Sequence, residues 1–193
     1  CEEDFPVNAS IINEELNAGT DTSVQICSNG ESLDLFDFIN DADVTGIWQP
    51  NLDNGHLGTY NPATDAPGSF IYTVTGECSS VNAEVFVNQI QIDAPEVNFD
   101  EVGDSDNVCF GSTSETYSTP NSPSSNYLWT VSGGGIIVGD ATTSVVEIDW
   151  SNSSVGNISN AVTLTESYDG CSYSSSIDVE IIDIQETIKP GDD

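Results

Sequence analysis

Short bursts of alternating apolar and polar residues recur along this sequence and restrict it to an all-β fold. In each burst the apolar residues are two positions apart, as in Phe70, Tyr72 and Val74, and polar residues stand between them. This period of two is typical of strands that bury one face. Turn dipeptides such as Asn54-Gly55 separate the bursts. The other bursts are Ala83/Val85/Val87, Tyr127/Trp129/Val131, Val146/Ile148/Trp150, Val162/Leu164 and Ile177/Val179/Ile181. Helical periodicity is confined to one turn within Leu33–Ile39, so we expect a β-sandwich architecture.

The same landmarks occur twice, which predicts two homologous domains. Cys27 is followed about 20 residues later by Trp48, and Cys109 is followed at a similar distance by Trp129. Each unit contains a second cysteine further along, Cys78 in the first and Cys171 in the second. We therefore expect two tandem β-sandwich domains, and not one large domain.

The ends of the chain resemble parts of further repeats. The segment Val7–Ile11 near Cys1 is similar to Val81–Val85 near Cys78, which indicates the last strand of a preceding repeat. The sequence contains no methionine, so we expect a processed chain or a piece of a longer array. The predicted segments are 1–14 as a last strand or linker, 15–92 as the first sandwich, 93–186 as the second, and 187–193 as the start of a linker to a next repeat.

The charge of the chain excludes whole classes of partner and reaction. Thirty-three Asp and Glu residues stand against one cation, Lys189, and a single histidine, His56, for a net charge of −32. Nucleic acids and anionic lipids are bound chiefly through clustered Lys and Arg, so neither is an expected partner. No GxSxG motif accompanies His56, which we interpret as a solvated loop residue, and we predict that the chain is not an enzyme. A hydrophobic content of 37% still favours a folded chain, with no apolar run long enough to span a membrane.

Five cysteines without any CxxC pair indicate an oxidising compartment and disulfides, not a zinc site. The repeat register gives each domain one early and one late cysteine, which predicts the pairs Cys27–Cys78 and Cys109–Cys171. Cys1 is then left over. It is either a repeat cysteine whose partner lies upstream, which the repeat alignment favours, or a lipidated N-terminal cysteine.

An acidic segment where the two domains join is the strongest cluster of chemical groups in the sequence. Carboxylate oxygens at this density suit Ca²⁺, which would stiffen the connection between the domains. The alternative is a solvated, self-repelling linker, favoured by the lack of a DxDxDG spacing. The predicted Ca²⁺ ligands are Asp93, Glu96, Asp100, Glu101, Asp104 and Asp106.

The aromatic residues offer a second kind of site. Trp48, Trp129 and Trp150 could form a platform for stacking sugars, but the phase of their apolar neighbours favours the core for all three. Phe86 stands out of phase between Val85 and Val87, so we expect it to be exposed.

Several segments together resemble PKD-like repeats of Bacteroidota cell-surface adhesins, of the gliding-motility type. In the second domain they are Tyr127–Gly134, Val146–Trp150 and Val162–Glu166, and in the first Gly46–Trp48, Gly58–Thr64 and Gly68–Val74. The resemblance covers nearly the whole chain. It implies two tandem Ig-like or PKD-like β-sandwich domains within an array on the bacterial cell surface, exported by the type IX secretion system.

The resemblance also implies what the chain does. It predicts a non-catalytic segment, with no required cofactor, that spaces and presents an adhesive surface. Its partners would be neighbouring repeats and an extracellular surface or polysaccharide. The alternative is a carbohydrate-binding or accessory module of a secreted polysaccharide-degrading enzyme, since PKD-type domains also accompany such enzymes.

Overall fold

The computed structural model describes residues 15–100 and 107–183, and the chain divides into two compact units between Ile90 and Gln91. Both units are all-β, with no α-helix in either described range. The predicted fold class, two tandem Ig-like or PKD-like β-sandwiches, is confirmed. The predicted segments 1–14 and 187–193 lie outside the described residues.

The first unit is built on one four-stranded sheet with the strand order β1-β6-β5-β3. Its strands are β1 (Thr22–Cys27), β3 (Ile47–Gln49), β5 (Gly68–Thr75) and β6 (Ser80–Ile90). The opposite layer is thinner and consists of a two-stranded ribbon and two 3-10 helices. These are β2 (Leu33–Asp34), β4 (Thr59–Tyr60), η1 (Leu35–Phe38) and η2 (Gly55–Leu57). The helical turn predicted within Leu33–Ile39 is η1.

The alternation read from the sequence sets which face of this sheet is buried. Phe70, Tyr72 and Val74 of β5 point inward, and β6 contributes Ala83, Val85 and Val87 to the same core. Leu35 of η1 closes the core from the opposite layer with its side chain fully buried. Because successive strand residues face opposite sides, the Thr, Ser and Glu residues between them remain at the outer face.

The second unit has two four-stranded sheets, with the orders β10-β13-β14-β8 and β11-β12-β9-β7. The strands of the first sheet are β8 (Asn107–Cys109), β10 (Asn126–Val131), β13 (Gly156–Tyr168) and β14 (Cys171–Ile182). Those of the second are β7 (Asn98–Phe99), β9 (Glu115–Ser118), β11 (Ile136–Val138) and β12 (Val145–Asp149). Side chains from both sheets fill one core.

A β-bulge interrupts the long β13–β14 ladder in the second unit. The register shifts between Ile158 and Val162, and Asn160 adopts a left-handed backbone with a φ of 50°. The N–H of Asn160 donates to Asp178 Oδ1 at 2.8 Å, which holds the bulged segment against β14. As a result Ala161 and Val162 are both buried although they are adjacent in sequence.

In both units the first strand of the main sheet runs parallel to the last. Strands β1 and β6 pair from Thr22, which lies opposite Val85, to Cys27, which lies opposite Ile90. In the second unit β8 pairs in parallel with β14, where Cys109 lies opposite Ile182. A parallel pair needs a long connection, and here the rest of each unit supplies it.

The tryptophan of the repeated Cys–Trp pattern is anchored in the same way in both units. The Trp48 indole N–H donates to the carbonyl oxygen of His56 at 2.9 Å, and the Trp129 indole N–H donates to the carbonyl oxygen of Thr143 at 2.8 Å. Each bond ties a loop to a buried ring and satisfies its polar atom. The loop beside Trp48 passes so close that a β-carbon on Gly58 would overlap the indole.

Two glycines at the ends of η2 allow the effect of close packing on stability to be measured separately from the effect of backbone conformation. Gly55 and Gly58 have nearly the same φ, 62° and 61°, but a β-carbon on Gly55 would meet nothing within 4 Å. We expect Gly55→Ala to lower the free energy of unfolding by about 1 kcal/mol through left-handed strain alone. We expect Gly58→Ala to lower it by about 3 kcal/mol, because overpacking against Trp48 is added. Urea unfolding followed by tryptophan fluorescence would measure both, and equal losses would contradict the packing argument.

Candidate functional site

The cysteines of the first unit lie at opposite ends of its main sheet. Cys27 is the last residue of β1 and lies beside Ile90 at the end of β6, whereas Cys78 precedes the start of β6 at Ser80. Twelve residues of nearly continuous strand separate the two levels, which at ~3.3 Å per residue amounts to roughly 40 Å. A disulfide requires α-carbons within ~7 Å, so these two cysteines cannot pair within the unit.

The second unit repeats this arrangement. Cys109 lies beside Ile182 at the end of β14, whereas Cys171 is the first residue of β14. Eleven residues of strand separate them, or roughly 36 Å. The predicted pairs Cys27–Cys78 and Cys109–Cys171 are therefore wrong. Cys78 and Cys109 are free and exposed, and the disulfide-bonded cysteines of the described residues are Cys27 and Cys171. Cys1 lies outside the described residues.

The tryptophans belong to the core and form no sugar platform. Trp48, Trp129 and Trp150 are at most 2% exposed, which confirms the prediction made from their phase. Phe86 is 48% exposed on the outer face of β6, as expected, opposite Ser69 of β5 and Ser23 of β1.

His56 differs from the sequence-based interpretation as a solvated loop residue. It lies in η2 and is half-buried, and its ring meets Phe36 edge-on, with centroids 5.3 Å apart and planes at 86°. Its carbonyl oxygen accepts the hydrogen bond from the Trp48 indole N–H, and this bond keeps the loop packed against the core of the first unit. No pattern in the sequence predicts this contact, because it depends on a loop closing over a residue 20 positions away. His56 therefore has a packing role.

The buried tyrosines of the first unit carry polar anchors of their own. The Tyr72 hydroxyl donates to the carbonyl oxygen of Asp43 at 2.7 Å and accepts the N–H of Gly46 at 3.0 Å. Burial raises the pKa of Tyr72 above its ordinary value. The hydrogen bond from the Gly46 N–H offsets part of this rise in pKa, and the charge of the neighbouring Asp43 raises the pKa further. Burial and then Asp65 raise the pKa of Tyr60 in the same way.

These shifts predict an alkaline loss of stability in the first unit. The folded state holds the phenolic protons more tightly than the unfolded chain, so the stabilisation is complete below about pH 10 and is lost as the pH rises through the folded pKa values. Tyr72→Phe should reduce this pH dependence and cost about 1–2 kcal/mol at neutral pH, because two backbone groups lose their partner. Tyr173→Phe, at an exposed position in the second unit, is the matched control. Denaturant midpoints from pH 7 to 11 would test this, and identical slopes for Tyr72→Phe and the unmodified chain would contradict it.

The second unit contains an open groove of about 500 Å³. One wall is the segment Gln91–Glu96, and the other is the loop from Thr119 to Ser125 together with Glu166 and Tyr168. The loop is fastened by Tyr127, whose hydroxyl oxygen accepts the N–H of Ser122 at 2.6 Å. Carboxylates and hydroxyls line the groove, so its chemistry suits a neutral polyhydroxyl or cationic ligand and repels anions.

The predicted Ca²⁺ ligands fall into two groups. Glu101, Asp104 and Asp106 lie outside the described residues. Asp93 and Glu96 line the groove, where Asp93 Oδ1 accepts the side-chain N–H of Gln91 at 2.9 Å. Asp100 follows β7, and its N–H donates to the carbonyl oxygen of Thr116. Within residues 15–100 and 107–183 no three acidic, histidine or cysteine side chains form a group that could hold a metal ion. Ca²⁺ binding therefore stays a prediction that rests on the acidic sequence.

The Ca²⁺ prediction is tested by comparing ions at matched ionic strength. Diffuse screening by monovalent salt acts over ~8 Å at physiological strength, whereas a bound divalent ion adds local stabilisation. We expect CaCl₂ to raise the melting temperature beyond NaCl, and the combined variant Asp100→Asn, Asp104→Asn, Asp106→Asn to lose that difference. Identical melting curves in both salts would contradict Ca²⁺ binding, and diffuse screening would then be the whole effect of the salt.

Part of the second unit is similar to a known domain family. Residues 95–181 match the family model of the PKD-like domain. This match supports the predicted resemblance to PKD-like and Ig-like domains, which are typically non-catalytic structural modules. No curated protein matches the chain.

Several solved structures are similar to the chain at low sequence identity. Extracellular domains 3–5 of Drosophila OTK are 13% identical, with a TM-score of 0.33, over 84% of this chain and 59% of that one. The titin I-band fragment I67–I69 is 14% identical, with a TM-score of 0.33, over 86% and 65%. The protocadherin GammaB4 extracellular domain is 13% identical, with a TM-score of 0.36, over 89% and 32%. This chain thus spans less than two thirds of each, and similarity at this level carries no information about ligands.

The class of domain and the disulfide-bonded cysteines indicate an extracellular protein. No helix among the described residues is long and apolar enough to cross a membrane.

Proposed function

We propose that this chain is a non-catalytic segment of a secreted bacterial cell-surface adhesin, in which the sandwiches act as spacers and present an adhesive surface. The specific type we propose is the Bacteroidota gliding-motility adhesin SprB, exported by type IX secretion. Surface attachment during gliding would then be the process that the segment serves.

The observation that carries this proposal is that one structural plan occurs twice in tandem. Each unit has a parallel first strand, a buried tryptophan that anchors a loop, and one cysteine at each end of the main sheet. Self-similar units of this kind extend a chain, and each added unit contributes length and exposed surface without requiring new chemistry.

The charge of the chain supports the same role. At −32, copies of the segment repel one another, which keeps long arrays dispersed on a crowded surface. The same charge disfavours binding to anionic polymers, so the proposed contacts are with neutral surfaces or neutral polysaccharides. Among the described residues, the exposed Phe86 and the groove beside Tyr168 offer surfaces suited to such contacts.

The proposal is tested on intact cells and on the purified chain. Antibody fragments raised against the chain should label unpermeabilised cells of the source organism and reduce their attachment to glass or polysaccharide. A fragment against an unrelated surface protein is the control. Absence of surface labelling would contradict the adhesin proposal.

Assays on the purified chain test for catalysis and for the alternative function as a carbohydrate-binding module. We expect no turnover of polysaccharide or peptide, because the chain contains no arginine and its single histidine packs against Phe36. Measurable turnover would refute the non-catalytic assignment. Tight binding to one polysaccharide, lost in Tyr168→Ala but kept in Phe86→Ala, would assign the binding to the groove. Such binding without surface labelling of intact cells would support the carbohydrate-binding module.

A further inference from the structure

The four described cysteines fall into two positional classes. Cys78 lies between the last two strands of the first unit, and Cys171 is the first residue of the last strand of the second unit. We name these two residues hairpin cysteines. Cys27 and Cys109 end the parallel first strand, and we name them first-strand cysteines. Each class has one disulfide-bonded member, Cys171 or Cys27, and one free, exposed member, Cys78 or Cys109. Each free thiol thus occupies a position that forms a disulfide in the sister repeat.

The parallel first strand assigns each class to one end of its repeat. The chain leaves the first unit after Ile90, beside the first-strand cysteine Cys27, and enters β1 toward the end where Cys78 lies. In the second unit the entering segment Gln91–Glu96 lines a groove together with Tyr168, three residues before the hairpin cysteine Cys171. Hairpin cysteines therefore mark the entry end of a repeat, and first-strand cysteines mark the exit end.

A partner for Cys78 or Cys109 has to come from outside its own repeat, because the two classes are roughly 35–40 Å apart within a repeat. In a tandem array the chain leaves one repeat at its exit end and enters the next repeat at its entry end. We propose that Cys109 forms a disulfide with the hairpin cysteine of a following repeat, and Cys78 with the first-strand cysteine of a preceding one. This inference goes beyond the proposed function, since it concerns how repeats are joined covalently.

The bond requires an oxidant, which we identify as a disulfide of the oxidising compartment. One thiolate attacks the oxidant disulfide and releases one thiol, and the second thiolate then displaces the other. The two protein thiols lose two electrons and two protons and form one S–S bond, and the oxidant is reduced to two thiols.

The class rule is tested with two single variants in a Cys1→Ser background, which removes a competing thiol. Cys109→Ser keeps only the hairpin thiol Cys78, and Cys78→Ser keeps only the first-strand thiol Cys109. In a glutathione redox buffer at high protein concentration, we expect the two variants mixed to give several-fold more disulfide dimer than either alone. Non-reducing electrophoresis and peptide mapping would detect the Cys78–Cys109 link. Both replaced residues are exposed and free, so circular dichroism should show unchanged folding.

A tandem fusion of two copies distinguishes a neighbouring repeat from a separate molecule as the source of the partner. We expect the first copy's Cys109 to link to the second copy's Cys78 at a rate independent of protein concentration, as an intramolecular reaction requires. A link in the mixture but not in the fusion would assign the partner to a separate chain. Equal dimer yields from each variant alone, or free thiols in both experiments, would overturn the proposal. Neither result would affect the cell-attachment test of the adhesin role.

Discussion

The parallel pairing of the first strand with the last is the constraint on which the rest of each unit depends. It seals the edge of the last strand, which would otherwise present unpaired backbone groups. It also determines that a residue at the end of the first strand lies level with the end of the last, as Cys27 does with Ile90. The two ends of a repeat thereby become chemically distinct, one with a hairpin cysteine and one with a first-strand cysteine.

Residues 15–100 and 107–183 contain no lysine or arginine, so ion pairs with these residue types do not hold the described fold. Burial of apolar surface and hydrogen bonds between neutral groups take their place. The Trp48 and Trp129 indoles and the Tyr72 hydroxyl each reach a backbone group in a loop. Such bonds between uncharged partners are little affected by salt, whereas repulsion among the carboxylates is screened by it.

The sequence was sufficient to predict the strands that carry a regular period. The bursts around Tyr72, Val85, Trp129, Ile148 and Val179 all lie in strands with the expected inward face. The same phase correctly separated the buried tryptophans from the exposed Phe86.

What the sequence could not supply was long-range pairing. The apolar pattern of β1 is compatible with either direction beside β6, and the choice of parallel pairing moves Cys27 from one end of the sheet to the other. The disulfide prediction failed for that reason. The bulge at Asn160 and the contact between His56 and Phe36 were missed on similar grounds, since each depends on a residue far away in sequence.

The direction of the first strand also decides how a repeat responds to tension. A pull on the two ends of the first unit draws Thr22 and Ile90 apart along the strand axis, so β1 would have to slide past β6. The hydrogen bonds of all the paired rows then share the load and must break together. In an antiparallel arrangement with both ends on one side, they would open one after another, as a zipper does. Each sandwich is therefore shaped to resist stretching along its strands, which is the property that the proposed adhesin role would require.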